Sequence, residues 1–212
     1  DGRISAYAAR AERSGLALIP VGTDAPSDGA PRFIGSGSIL MGLEGGKIIC
    51  SKLGSSARIG VILPTGLGSD PRDEPLYRGL ESALQSYSGA GIVAVVRSKT
   101  GTLSGEESAS SLLRAHPGVN ALFCSSSLDT TGAAQVVVDM NLVGKVLIVG
   151  ADENEEIRRY IEKGVVMASI VRDSRRIGED AVRAFASMKA GIPVPPTIEA
   201  GFSVRTAGEG EH

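Results

Sequence analysis

The sequence predicts an α/β fold in which a mostly parallel sheet is flanked by helices. Three observations lead there. Short continuous apolar runs recur along the chain, amphipathic helical segments separate them, and glycine-rich turns punctuate the alternation. The composition agrees: 212 residues, 42% of them hydrophobic, with 28 glycines and no tryptophan, a length that holds one to two domains.

Residues 4 to 13 are rich in helix formers, and Ser14-Gly15 supplies the stop. Leu16 to Val21 is an uninterrupted apolar run, the mark of a strand buried on both faces. Residues 22 to 38 are turn formers around one small apolar pair, Phe33-Ile34, and read as connector, not core. Ile39 to Leu53 is helix-like, loosened by Gly42, Gly45 and Gly46. Arg58 to Leu63 reads as a buried strand, Pro75 to Tyr87 as a helix with Leu76, Leu80, Ala83, Leu84 and Tyr87 on one face, and Gly91 to Val96 as the next strand. The alternation continues with a helix from Glu106 to Ala115, a strand from Ala121 to Cys124 and a helix from Asp129 to Met140. A strand from Lys145 to Gly150 and a helix from Asn154 to Lys163 follow, then a strand from Val165 to Val171. A long helix from Asp173 to Lys189 and a final strand from Thr197 to Thr206 close the pattern. Such alternation predicts parallel strands joined by right-handed crossovers. The tail 207 to 212 reads as a disordered end or a tag remnant.

Charge and motif content exclude several function classes. Lysine plus arginine number 22 against 24 acidic residues, a net charge of −2, without the basic excess that phosphate-backbone binding requires. Nucleic acid is therefore not an expected partner. Cys50 and Cys124 are too few and too far apart for a disulfide framework or a metal site, and read as buried free thiols. No apolar run approaches the ~20 residues of a membrane span, and Asp1-Gly2-Arg3 opens no signal-peptide core. The only histidines, His116 in a turn and His212 at the end, argue against a histidine-based triad or metal cluster. Gly35-Ser-Gly-Ser38 imitates the start of a dinucleotide fingerprint but lacks its third glycine and a strong preceding strand. Phosphate-loop and nucleophile-elbow motifs are absent too, so the expectation is a non-enzyme with no cofactor.

Residues 39 to 171 supply five strands and five helices, enough for a doubly wound unit, whereas residues 1 to 34 supply one helix and one strand that need a partner. Several stretches, in order, carry a resemblance that accounts for this. They are Gly15-Leu-Ala-Leu-Ile-Pro-Val-Gly-Thr-Asp-Ala-Pro26, Phe33 to Ser38 with Gly42, Arg58 to Leu63, and Arg78-Gly79-Leu80. Further on come His116 to Phe123 with Gly132-Ala133, Val149-Gly-Ala-Asp152, and Ala168 to Gly178. From about Ser5 to Thr206 the chain resembles the periplasmic sugar-binding protein family of the ribose-binding type, whose type I periplasmic-binding-protein fold is shared with the effector domains of lactose-repressor-type regulators.

The resemblance implies two Rossmann-like lobes joined by three crossing segments, with ligand clamped in the cleft between them. It assigns 37–171 and 200–206 to a complete C-terminal lobe, and 1–36 and 172–199 to a partial N-terminal lobe whose first strands and helices lie outside this sequence. Asp152 matches a sugar-binding aspartate of the family, although Asp152 and Glu155 also have the spacing of a capping box. Arg172 matches a glutamine at the second crossing, where its planar fork suits a carboxylate or a vicinal diol, with a solvated hinge arginine as the plainer role. Ser126 and Ser127 take the place of an Asn-Asp pair, with helix capping as the plainer role. In the loop 64 to 72 and just beyond it, Asp70, Arg72 and Glu74 are candidates, because Leu76 stands where the family has arginine. Positions that often hold ligand-binding aspartates read Gly22 and Gly37, which leaves Thr23 as a candidate there. The function implied is the substrate-binding component of an ABC-type importer for a sugar or related small polar solute. It would act by hinge closure with the transporter's membrane subunits as partners, in a periplasmic or extracellular setting with a lipid anchor as one option. The alternative is the effector-binding core of a lactose-repressor-type regulator, and a second copy of the chain is the partner that would cover the incomplete lobe.

Overall fold

The β-branched runs form parallel ladders, and the elements between them return the chain to the starting edge. A computed structural model of the chain describes residues 7, 10–11, 13–16, 19–22, 33–65, 70–99 and 103–208. The elements are β1 (Val21–Gly22), β2 (Phe33–Gly35), α1 (Ser38–Leu53), β3 (Arg58–Pro64), α2 (Pro75–Leu84), β4 (Gly91–Ser98), α3 (Ser104–Ala115) and β5 (Ala121–Cys124). After these come α4 (Ser127–Asp139), β6 (Leu147–Ala151), α5 (Glu155–Glu162), β7 (Ala168–Arg172), α6 (Ser174–Lys189), β8 (Thr197–Glu199) and β9 (Phe202–Arg205). They divide into two compact units, Asp1–Ser38 with Arg172–Phe202, and Ile39–Val171 with Ser203–His212.

The larger unit is built on a six-stranded sheet of order β4-β3-β5-β6-β7-β9. Strand β3 runs parallel to β4 and β5, β5 to β6, and β6 to β7. Successive side chains take opposite faces. Leu122 and Cys124 join Leu112, Val137, Ile148 and Ile157 in one core beneath α3, α4 and α5. Phe123, fully buried, faces α1 instead, where a Cβ at Gly45 would lie 2.3 Å from its ring. Covering both faces is why the inner strands read as continuous apolar runs, while β4, at the edge, is half-buried along nearly its whole length.

The glycines of α1 serve a purpose opposite to the expected loosening. A Cβ at Gly42 would lie 1.9 Å from the Leu76 carbonyl oxygen, and one at Gly79 would lie 1.9 Å from that of Ile39. Gly46 meets Ala83 in the same way, at 2.4 Å. Helices α1 and α2 thus cross with their backbones in contact, an approach that side chains at these positions would prevent. Helix α2 also ends at Leu84, short of Tyr87, where the chain leaves through a tight turn.

The smaller unit holds a three-stranded sheet of order β1-β2-β8, parallel throughout. Ile34, Ile177, Ala184 and Ala200 form its core against α6, together with Ile19, Ala181, Val194 and Ile198. Inside α6 the buried Asp180 carboxylate accepts from Arg176 at 2.8 Å and Arg183 at 2.9 Å. Three expectations are corrected here. The strand expected over Leu16 to Val21 is confined, among the described residues, to Val21–Gly22, and Leu16 and Val21 are 61% and 51% exposed. Pro20 has no amide to give a ladder, and among the described residues β1 pairs with β2 alone. The stretch read as connector contains β2, the central strand, with Ile34 fully buried. Its partner β8 lies far along the chain, so no local pattern announces it. Finally, the single strand expected over Thr197 to Thr206 is two, because Ala200 and Gly201 (φ 80°) turn the chain from one sheet into the other.

Candidate functional site

A parallel sheet offers ligands its carboxyl edge, where loops leave the strand ends and the order of strands reverses. In the larger unit that reversal falls at β3, flanked by β4 and β5. The loops after β3, β5 and β6 carry Asp70 and Arg72, Ser126 and Ser127, and Asp152, so the fold brings these five candidates to one edge.

Asp152 is the most constrained of them. It follows β6 with a left-handed backbone (φ 63°), a conformation aspartate tolerates better than most residues. Its N–H donates to the Ile170 carbonyl at 2.8 Å, and its own carbonyl accepts from the buried Ser169 hydroxyl. The capping-box reading is corrected: Asn154 caps α5, accepting from the Ile157 N–H at 2.8 Å, and its amide reaches Thr131 at 3.2 Å. Asp152 is therefore not a cap of α5, and β7 fixes its main chain on both sides.

Ser126 does cap its helix. The hydroxyl accepts from the Asp129 N–H at 3.2 Å and donates to the Asp129 carboxylate at 2.6 Å, so its proton is already engaged. Ser127, half-buried, is the first residue of α4. Below them Cys124 is fully buried, and burial, helped by the Asp129 charge, pushes its thiol well above the ordinary range. Cys50 is likewise a buried free thiol.

Asp70 and Arg72 have local work. The Asp70 carboxylate accepts from the Arg72 N–H at 2.9 Å, capping a short 3-10 turn over Pro71–Asp73, and the exposed Arg72 guanidinium reaches Glu81 at 3.3 Å. Glu74 accepts from Arg97 at 2.7 Å. Arg97 was missed in the sequence, where it closes the apolar run of β4. It also donates to the carbonyls of Pro64 at 3.1 Å and Asp70 at 3.4 Å, tying the chain after β3 to the next strand.

In the smaller unit Arg172 ends β7, half-buried, next to Asp173, which caps α6 by accepting from the Arg176 N–H at 2.8 Å. Thr23 lies outside the described residues. Glu199 was also missed: it ends β8 with its side chain exposed, and its carboxylate stands against Gly37. An isolated acid between Ile198 and Ala200 was the available signal. Nearby, the Gly201 carbonyl accepts from the buried Ser36 hydroxyl and from the Asp173 N–H at 3.4 Å. One carbonyl thereby ties the segments after β2, β7 and β8 together.

Among the described residues no cluster of histidine, cysteine and acidic side chains has the arrangement of a metal site, and no helix is long and apolar enough to cross a membrane. The candidate side chains are hydrogen-bonding groups: carboxylates, hydroxyls and guanidinium groups at or after strand ends.

Comparison with known proteins agrees with the resemblance seen in the sequence. The D-allose-binding periplasmic protein of Escherichia coli (strain K12) is 24% identical over 195 residues, which are 88% of this chain. The chain spans 62% of that relative's length. Among solved structures, GanP, a glucose-galactose binding protein from Geobacillus stearothermophilus, superposes with a TM-score of 0.85 at 27% identity, over 93% of this chain and 70% of its own. The fold is shared as well by an ABC transporter periplasmic solute binding protein from Actinobacillus succinogenes 130z with bound D-allose, at a TM-score of 0.82 and 19% identity, over 93% of this chain and 72% of its own. The periplasmic binding protein domain matches residues 2–192. By that match, and by a parallel α/β architecture shared with these proteins, the chain belongs to the periplasmic binding protein family.

Proposed function

We propose that this chain binds a sugar or a closely related polyol, without catalysis, as part of the substrate-binding component of an ABC-type importer. The observation that carries the reading is Asp152, a carboxylate-bearing residue whose backbone is fixed by β7 at the carboxyl edge of a parallel sheet. A carboxylate carried on a backbone that is already ordered leaves only side-chain torsions to fix when it accepts hydrogen bonds from sugar hydroxyls. The sugar-binding names of the E. coli relative and of GanP support the same class of ligand.

Arg172 adds planar donors from the other unit, and Ser127 a hydroxyl. In this reading a ligand that engages residues of both units favours the closed form of the protein, and the membrane subunits of the importer recognise that form. The setting is periplasmic or extracellular. The experiment is thermal unfolding of the protein, expressed from its complete reading frame, against D-allose, D-glucose, D-galactose, polyols and nucleosides. A sugar at 100 times its Kd adds about 2.7 kcal/mol, which raises Tm by roughly 5–10 °C. Asp152→Ala and Arg172→Ala should each shrink that shift. A protein indifferent to every sugar and polyol refutes the reading, and a shift with nucleosides alone redirects it.

A further inference from the structure

The smaller sheet ends in a single row across its carboxyl edge: Gly22 is in register with Gly35, and Gly35 with Glu199. Two members of that row are glycines, so Glu199 is the one that presents a side chain. Just past β2 stands another glycine, Gly37, and the Glu199 carboxylate occupies the space its side chain would have taken. A Cβ at Gly37 would lie 3.0 Å from Glu199 Oε2 and 3.5 Å from Oε1.

The backbone under this carboxylate is pinned. The Ala200 N–H donates to the Gly35 carbonyl at 2.9 Å, and the Gly201 carbonyl accepts from Ser36 and Asp173. Among the described residues no cation or amide donor takes the carboxylate as partner, and the side chain is exposed.

We propose that Glu199 is a ligand-contacting residue, whose carboxylate accepts hydrogen bonds from a pair of neighbouring hydroxyls on the bound sugar or polyol. Glycine at 37 is what makes room for it. An ionised carboxylate has two acceptor oxygens, which match the two donors of a vicinal diol. The acidic group reaches the carboxyl edge from β8 instead of from the segment after β2. This assignment rests on the sugar-binding reading above and adds a specificity-determining residue to it.

The test measures calorimetric affinity of the protein from its complete reading frame for D-allose, D-glucose and D-galactose, in wild type, Glu199→Gln, Gly37→Ala and Asp152→Asn. Glu199→Gln should weaken the best sugar at least tenfold, in line with the net worth of hydrogen bonds to charged groups. Gly37→Ala, whose methyl crowds Oε2, should weaken it several-fold. Monodeoxy analogues supply the readout a structural role would not move: the one lacking the hydroxyl held by Glu199 should bind Glu199→Gln and wild type alike. Should Glu199→Gln lower the ligand-free Tm, Glu199→Asp, which keeps the charge and shortens the reach, takes its place in the same comparison. Wild-type binding that Asp152→Asn abolishes and Glu199→Gln leaves within threefold overturns the Glu199 assignment and leaves the sugar-binding reading standing. Wild type that binds none of the sugars overturns both.

Discussion

Replacing Gly79 by alanine is a sharp test of how the larger unit is assembled. The added methyl carbon would lie 1.9 Å from the Ile39 carbonyl oxygen and 2.8 Å from the Leu43 nitrogen, whereas ordinary contact begins near 3.4 Å. Neither neighbour is a flexible side chain, so α1 and α2 must separate by roughly 1.5 Å at their crossing, the difference between those two distances. Overpacking of this kind costs about 1–3 kcal/mol and more where backbone must move. The helix propensity of alanine returns about 1 kcal/mol. Because the clash is with backbone the overpacking cost lies at or above the top of its range, so at least about 2 kcal/mol of net loss is expected, read as a lower urea midpoint at unchanged m-value. Gly42→Ala, which meets Leu76 on the other side of the same crossing, should cost a similar amount. The double variant should cost less than the sum, because one separation of the helices accommodates both methyls. Gly79→Ala with wild-type stability, or full additivity in the double variant, would refute the account of backbone contact between α1 and α2.

Two further expectations concern the site and the core beneath it. Since Asp152 has φ 63°, Asp152→Gly should keep a higher ligand-free stability than Asp152→Ala, which loses about 1 kcal/mol to left-handed strain; both should lose sugar affinity, and equal ligand-free stabilities would contradict the backbone argument. The Cys124 thiol is raised above its ordinary 9.0 by burial and by Asp129, so the folded state keeps its proton at a pH where the unfolded chain has released it. Stability is then fully present below about pH 8 and falls as pH rises past 9. Urea unfolding across pH 7–10 should show a steeper alkaline decline in wild type than in Cys124→Ala, and parallel curves would exclude that contribution.

Much of the larger unit was legible because its strands are buried on both faces. A run such as Ala121 to Cys124 needs no partner to identify it, and the strand found there has the same bounds. Helix ends were legible where a capping residue sits at the boundary, as Asp173 does before α6. The candidate site was legible in part: a strand-end position for Asp152 follows from Val149 to Ala151, but its left-handed backbone and its independence from the α5 cap do not. Arg97 and Glu199 escaped notice because each gains its meaning from a segment distant in sequence, the loop after β3 for one and Gly37 for the other.

By itself, then, the order of residues determined the α/β class, the alternation of elements and the family resemblance. Those properties are written in local periodicity and in motifs read along one segment at a time. Tertiary structure decided that Phe33 to Gly35 is a central strand, that glycines in α1 are contact points, and that the final apolar stretch serves two sheets. It decided too that a glutamate on β8 stands where Gly37 has no side chain. Each of these depends on which distant backbone arrives alongside, and that is settled by burying the sheet faces against helices, a sum over the whole chain that no short window contains.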